Sequence, residues 1–594
     1  MTIVKVISFV IVGLVTGCAG ESIQDTPVVE PVVKEVSEPA KAPEGAAQAK
    51  EKKADIKPAQ KKASATTIDP NVMYLLLTAE LAGQRNQYAV ALEGYMQAAR
   101  RVDDPRISER AAKIAVYLED NKKADTAVDL WLRQDANNLD AQSLGALTAL
   151  RAGRKDAALE HLDALLRLDP AGFDNALLEL LKSLGQPEKI GFLSAVLDDL
   201  AVKHPDQAVV YFVQALLAMQ GKENQLAAVK LQRALALQPA WDKALVAQSQ
   251  LAVLNGDLDG AEALLRDAVK KYPTDLRFKR MLAQVLIKAS KFESAVAEYH
   301  VILKEHPDDG DSEFSLALLH LQLQQDNDAK AYLEKLVGRA EWAAQSAYYL
   351  GKLAIKNGQM DKALVWFDSV TSGSFEFDAA LSAVSVVLEL QRFDDAHTRL
   401  DKMLHAFPTQ SVRLLAMRAE IYSDQKQYGK AFKLLSDALL KAPEQKELLY
   451  SRSLVAERMD DLPAMEADLQ AILRKYPDDV ATLNALGYTL VNKTQRLKEA
   501  ERYLQKAIKL QPDMAVIVDS YGWLLFKQGQ YVQARDYLQR AYAKQPQAEI
   551  AGHLVEVLMK LNLKNEARLL WEKALQAEPV DVYLLELKRR FFAN

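Results

Sequence analysis

Residues 519–546 read DSYGWLLFKQGQYVQARDYLQRAYAKQP, and the spacing of their small residues decides the fold. Gly522, Gly529, Ala534, Leu538, Ala541 and Pro546 fall at positions 8, 15, 20, 24, 27 and 32 of a unit roughly 34 residues long. Two antiparallel helices approach closely only where the facing residues are small. Gly522 on a first helix therefore faces Ala534 and Ala541 on a second, while Leu525, Tyr537 and Leu538 fill the space towards the next unit. Pro546 has no N–H and disfavours helix in the residue before it, so it closes the second helix and sets the turn into the next unit.

The same pattern extends across 483–579. Leu486-Gly487-Tyr488 leads to Pro512, Tyr521-Gly522-Trp523 leads to Pro546, and a weaker copy ends at Pro579. Upstream, Pro170, Pro205, Pro239, Pro273 and Pro307 lie 35, 34, 34 and 34 residues apart. Pro408, Pro443, Pro477, Pro512, Pro546 and Pro579 lie 35, 34, 35, 34 and 33 apart. Pro307 and Pro408 lie 101 apart, a spacing of three units that lack two terminal prolines. Small residues carry the frame through that gap, with Ala329, Ala363 and Ala396 at position 20. Helix-period patterning is continuous from Asp69, and no sustained two-residue alternation argues for strands.

This spacing resembles the tetratricopeptide repeat (TPR) closely. The resemblance implies an all-α TPR solenoid of about fifteen helix pairs over 69–579, wound as a right-handed superhelix with a concave channel. The pairs near 70–140 and 171–205 are the most degenerate. The segment 580–594, with Lys588, Arg589 and Arg590, is expected to form a capping helix, since the last unit of a solenoid must cover an exposed apolar face.

Composition bounds the function. The chain has 594 residues, 49% apolar and 26% charged, with a formal net charge of −5. It has no basic excess of the kind that releases counterions from DNA or RNA, so nucleic acid is not an expected partner. No HExxH, GxSxG, Walker loop or CxxC occurs, which argues against an enzyme. His300 and His306, the closest pair of histidines, are six residues apart and do not share a helical face, so a metal site is not expected there. No cofactor is implied beyond a covalent lipid.

The lipid expectation rests on Cys18, the one cysteine in the chain. A short apolar run over 6–15 follows Lys5; it is too short to span a bilayer and reads as the core of a signal peptide over 1–17. The run ends Leu14-Val15-Thr16-Gly17-Cys18, which resembles the bacterial lipobox, in which the leader is cut before the cysteine and the cysteine is acylated. By that resemblance, Ala19 in place of Asp after Cys18 implies transfer to the outer membrane, with the chain facing the periplasm. The linker 18–68 carries Pro27, Pro31, Pro39, Pro43 and Pro58 and no aromatic residue, with eight acids matched by eight lysines. Such a stretch has little to bury and reads as a disordered tether. As a coil its r.m.s. span would be about 40 Å.

In TPR arrays, positions 2, 5, 9, 12 and 13 of the first helix, with position 34 nearby, line the concave face. On that resemblance Tyr488 and Trp523 stand at position 9, Phe526 at 12, Tyr348 and Phe212 at 5, and Trp241 at 34. These six rings form the candidate protein-binding groove, with Tyr488, Trp523 and Phe526 as one aromatic strip. Trp131, Trp366 and Trp571, at or beside position 24, read as core.

Two finer stretches narrow the resemblance. Residues 75–85 (LLLTAELAGQR) and 104–111 (DPRISERA), together with 486–490 (LGYTL), 519–523 (DSYGW) and 549–554 (EIAGHL), are similar to the long TPR outer-membrane lipoproteins of proteobacteria. One member of that group is the partner of a periplasmic carboxyl-terminal processing protease and presents cell-wall (peptidoglycan) hydrolases to it. The resemblance therefore implies a non-enzymatic adaptor. An assembly factor for a pilus, secretion system or other envelope complex is the alternative. The chain departs from the common pattern at Val555 and Met559, where Gly and Trp are more usual.

Overall fold

A computed structural model describes residues 69–185 and 187–592. The expected signal peptide, Cys18 and the linker to residue 68 lie outside the described residues. Among the described residues there are 31 α-helices, one short 3-10 turn and no strand. In chain order, thirty of the helices fall into fifteen helix–turn–helix pairs, from Pro70–Gln84 with Tyr88–Ala99 to Ala548–Lys560 with Lys564–Ala577. The last helix, Val582–Phe591, stands alone.

The sequence frame explains the pairing. Ala227, Ala261, Ala295, Ala363, Ala534 and Ala567, all at position 20, are fully buried where two helices cross. The nearest atoms across from Gly522 belong to Leu538 and Tyr537, not to Ala534 and Ala541 as the spacing suggests: a Cβ added to Gly522 would lie 2.9 Å from Leu538 Cγ, and one on Gly487 only 2.6 Å from Leu504 Cγ, so position 8 admits little beyond hydrogen and the larger side chains of the second helix fill the gap within the pair. The residues before the unit-closing prolines are extended, as the proline ring requires: Gln511 has φ −135 and ψ 74, and Gln545 has φ −143 and ψ 93.

The turn inside each pair has its own signature. Every pair except the thirteenth places one left-handed residue there, at φ between 56 and 81, exemplified by Gly529 and by Lys222. Glycine suits that conformation, and the non-glycine residues hold it because the antiparallel return of the chain leaves no other path. In the thirteenth pair, Thr494 is extended and its hydroxyl instead bonds Leu490 O and accepts from Arg496 N–H.

The chain divides into two compact units, with the boundary between Tyr332 and Leu333 inside the helix Asp326–Val337. In the N-terminal unit, first helices two pairs apart also meet: Lys243 Nζ lies 2.5 Å from the buried Asp174 carboxylate. In the C-terminal unit Val582–Phe591 packs on the fifteenth pair, burying Leu584 and Leu587 and placing Leu584 O 2.9 Å from the donating Trp571 Nε1–H.

Successive second helices are laced by ion pairs about one repeat apart, including Lys291 with Asp259 at 2.8 Å and Arg399 with Asp368 at 2.5 Å. Such solvent-exposed pairs add little to stability.

Candidate protein-binding surface

The six candidate rings fall into three clusters. In the N-terminal unit Phe212 is buried, 5% exposed, with its ring 4.6 Å from that of the half-buried Trp241, the residue capping the helix Asp242–Leu254. In the C-terminal unit Tyr348 is half-buried against Tyr349, Phe367 and Phe375, with centroids 5.4, 6.0 and 5.2 Å away. Burial pushes the Tyr348 phenol above its ordinary range.

The third cluster holds Tyr488, Trp523 and Phe526. The helices Val480–Lys493, Ala515–Lys527 and Ala548–Lys560, first members of consecutive pairs, carry these rings and the groups that enclose them. Trp523 stacks on Phe526 at 4.7 Å and on His553 at 4.0 Å, and its Nε1–H donates to Asn492 Oδ1 at 2.8 Å. The Lys527 ammonium sits 4.8 Å from the Trp523 ring centroid.

His553 is itself buried. Its Nδ1–H donates to the Asp519 carboxylate at 3.0 Å, and Nε2 lies 3.5 Å from the Tyr488 hydroxyl. That hydroxyl donates to Glu549 Oε1 at 2.5 Å. Burial, then the Glu549 carboxylate, drives the Tyr488 phenol far above its ordinary range. It stays a neutral hydrogen-bond donor at any physiological pH.

The exposed aromatic strip expected from the repeat frame is therefore not present. Trp523 and Phe526 are only 5% and 8% exposed. The physical reason is packing between neighbouring first helices: His553 stacks on Trp523, Asn492 accepts its N–H, Lys527 lies over its face and Phe526 stacks beside it, so the rings are enclosed by the chain's own side chains. Of the tryptophans read as core, Trp131 and Trp571 are buried and Trp366 is half-buried.

An open cleft does exist, at a place the aromatic positions do not indicate. Between the helices Leu139–Arg151 and Phe173–Leu184, first members of the third and fourth pairs, lies a cavity of about 370 Å³. Leu144, Leu147, Leu165, Phe173, Ala176 and Leu180 line it with Asp140, Asp169 and Glu179, and no Lys, Arg or His takes part.

Its origin is the irregular fourth pair. After Pro170, the chain turns through Ala171-Gly172 and starts a helix at the buried Phe173 without a side-chain cap. Asp169 Oδ1 accepts from Gly172 N–H at 2.9 Å, and a Cβ on Gly172 would fall 2.1 Å from Asp169 Oδ2. The carboxylate takes the space that a side chain at 172 would need. The degenerate spacing over 171–205 was the available signal, but it marks an irregularity without stating its chemistry.

Among the described residues no group of three or more His, Cys, Asp or Glu side chains is placed to hold a metal ion.

Comparison with known proteins agrees with this architecture. Tetratricopeptide repeat models match residues 212–275, 314–378 and 520–582, and further models of the same repeat match 252–321 and 480–514. Over 486 residues the chain is 35% identical to the TPR repeat-containing protein PA4667 of Pseudomonas aeruginosa, covering 82% of each chain. A stretch of 90 residues is 32% identical to the protein O-mannosyl-transferase Tmtc2 of Drosophila melanogaster, which is 15% of this chain and 10% of that protein.

Among solved structures, a tetratricopeptide repeat protein from Parabacteroides merdae matches 41% of this chain and 97% of its own, at 17% identity and a TM-score of 0.34. Naa15/Naa10 bound to HypK-THB matches 87% and 99%, at 12% identity and a TM-score of 0.30. TPR proteins bind other proteins, and the fold is typically a non-catalytic scaffold. With its helix pairs, its buried small residues and its relationship to PA4667 along most of both chains, this chain belongs to the family of tetratricopeptide-repeat proteins.

Proposed function

We propose that this protein is a lipid-anchored adaptor facing the periplasm from the outer membrane, and that it holds a carboxyl-terminal processing protease together with its cell-wall hydrolase substrates. The observation that carries this reading is the lipobox-like ending at Cys18 followed by a long TPR array similar along most of its length to one bacterial TPR protein. A long array supplies many first-helix surfaces on one scaffold, which suits a protein that must hold two partners at once. A lipid on Cys18 would keep that scaffold at the membrane, and the 18–68 tether would let it reach inward. Multiple acyl chains, at about 0.8 kcal/mol per buried methylene, anchor a protein far more firmly than one. No helix among the described residues is long and apolar enough to cross a membrane.

The test is affinity capture of the full-length protein from detergent-solubilised envelopes, with mass spectrometry of what is retained. A carboxyl-terminal processing protease should be recovered, and hydrolase levels should rise when this protein is removed. Recovery of pilus or secretion components without a protease would replace the proposal with the assembly-factor reading. Separately, Cys18→Ser should leave unprocessed precursor and abolish outer-membrane fractionation. Normal fractionation of that variant would remove the lipid anchor from the proposal.

A further inference from the structure

We infer that the cleft between Leu139–Arg151 and Phe173–Leu184 is a docking site for a short cationic segment of a partner protein, one or two bulky apolar side chains flanked by Lys or Arg. This rests on the chain being a protein-binding scaffold and not on the partner being a protease.

Size sets the first limit. A cavity of about 370 Å³ sits at the low end of the roughly 300–1,000 Å³ typical of binding pockets, so it takes individual side chains and not a folded surface. Its floor is apolar, with Leu147, Leu165, Phe173 and Leu180 all buried, while Leu144 and Ala176 remain partly open. An aliphatic or aromatic side chain entering it gains the burial that these residues leave incomplete.

Charge sets the second. Asp140, Asp169 and Glu179 are the only titratable groups lining the cleft, and all three are acidic. Their cationic neighbours are weakly committed: Lys113 lies 3.8 Å from Asp140, with that carboxylate's side chain 71% exposed, and Lys182 pairs with Glu179 at 2.7 Å in full solvent. Pairs of that kind are worth little and exchange readily for an incoming ammonium or guanidinium. Asp169 is fixed by its bond to Gly172 N–H, so one carboxylate at the rim is already positioned. An acidic segment would meet three like charges over an apolar floor and is rejected by the same geometry.

The contrast with the 488–553 region strengthens the assignment. There the first helices are bridged by the chain's own Tyr488–Glu549 and Asp519–His553 bonds, whereas between 139–151 and 173–184 the crossing bond is that of Arg151 to Ser183 O, and the space over Leu147 and Phe173 stays open.

The probe is a fluorescein-labelled twelve-residue peptide with two leucines among four lysines. One control peptide has each lysine replaced by glutamate, and another has each leucine replaced by serine. Anisotropy titration of the full-length protein should show binding of the first peptide and at least tenfold weaker binding of both controls. Amide exchange protection on binding should be confined to about 139–184.

Ser143→Trp, which fills the cleft, and the pair Asp140→Lys with Glu179→Lys should each weaken binding at least tenfold. Both charge-reversed positions are exposed, so that pair decides the matter if the filled variant folds poorly. Equal affinity in the charge-reversed protein, equal affinity for the glutamate peptide, or protection elsewhere would overturn the inference. So would a tenfold gain in affinity when Lys52, Lys53 and Lys57 are changed to Ser, because the chain's own lysine-rich segment would then be the occupant. Failure to capture a protease would leave these outcomes untouched.

Discussion

Replacing Trp523 by alanine distinguishes a ring that builds the array from a ring that meets a partner. The indole is 5% exposed, is stacked against Phe526 and His553, and donates to Asn492. Truncating such a ring to a methyl group costs about 3–5 kcal/mol, from lost burial and the cavity left between neighbours. Asn492 is exposed and can rebond to water, so the lost hydrogen bond adds little.

In a repeat array this cost is borne by the affected pair and its immediate neighbours. Amides of 480–577 that exchange through local opening should therefore speed up by on the order of 10²–10⁴-fold, at about 1.4 kcal/mol per decade, while those of 70–330 keep their protection. Trp523→Phe retains the stacking and loses the indole N–H, so it should cost only about 1–2 kcal/mol. Native-state hydrogen exchange with mass spectrometry reads both effects. Unchanged protection over 480–577 in the alanine variant, combined with loss of partner capture, would refute the interior placement and restore the ring to a binding surface.

Two smaller perturbations test other parts of the array. Burial, and then the neighbouring Asp424, pushes the Glu420 carboxyl up to about 7. Because the folded pKa is raised above the unfolded one, this group's contribution to stability declines as pH rises from about 4.5 to about 7; Glu420→Gln should match the parent near pH 4 and protect the helix Ser411–Asp424 by up to about 3 kcal/mol more at pH 8, and equal protection at both pH values would remove the effect. Lys222 holds a left-handed turn conformation at φ 60, so Lys222→Gly should raise local stability by about 0.5 kcal/mol, whereas Gly529→Ala should lower it by about 1 kcal/mol; thermal melts and exchange at the flanking helices check both.

The all-helical paired architecture was legible because each part of the frame has one physical job. A glycine at position 8 marks a close approach of two helices, although the side chain it admits at Gly522 is Leu538 and not the alanines that the spacing suggests. An alanine at position 20 sits where two backbones cross, and a proline at 32 ends the second helix. Each of these is a local constraint read from residue type alone. The left-handed turn residue was half legible: glycine announces it at 529, but Lys222, Gln391 and Asp460 adopt the same conformation without any compositional sign.

The binding face was much less legible, because it depends on contacts between repeats. Position 9 points Trp523 towards the inner face, but whether the ring stays open depends on His553 and Asn492 of the neighbouring first helices. No rule about position within one repeat contains that information. The two regions, one in each unit, therefore use the same helix-pair geometry for opposite ends. Where side chains of neighbouring first helices enclose the rings, as at 488–553, those rings become core. Where the fourth pair breaks the spacing and Asp169 folds back onto Gly172, the first helices leave a cleft with acids at its rim. Departures from the repeat, more than its best-preserved copies, are thus where an array of otherwise equivalent units acquires a place with its own chemistry.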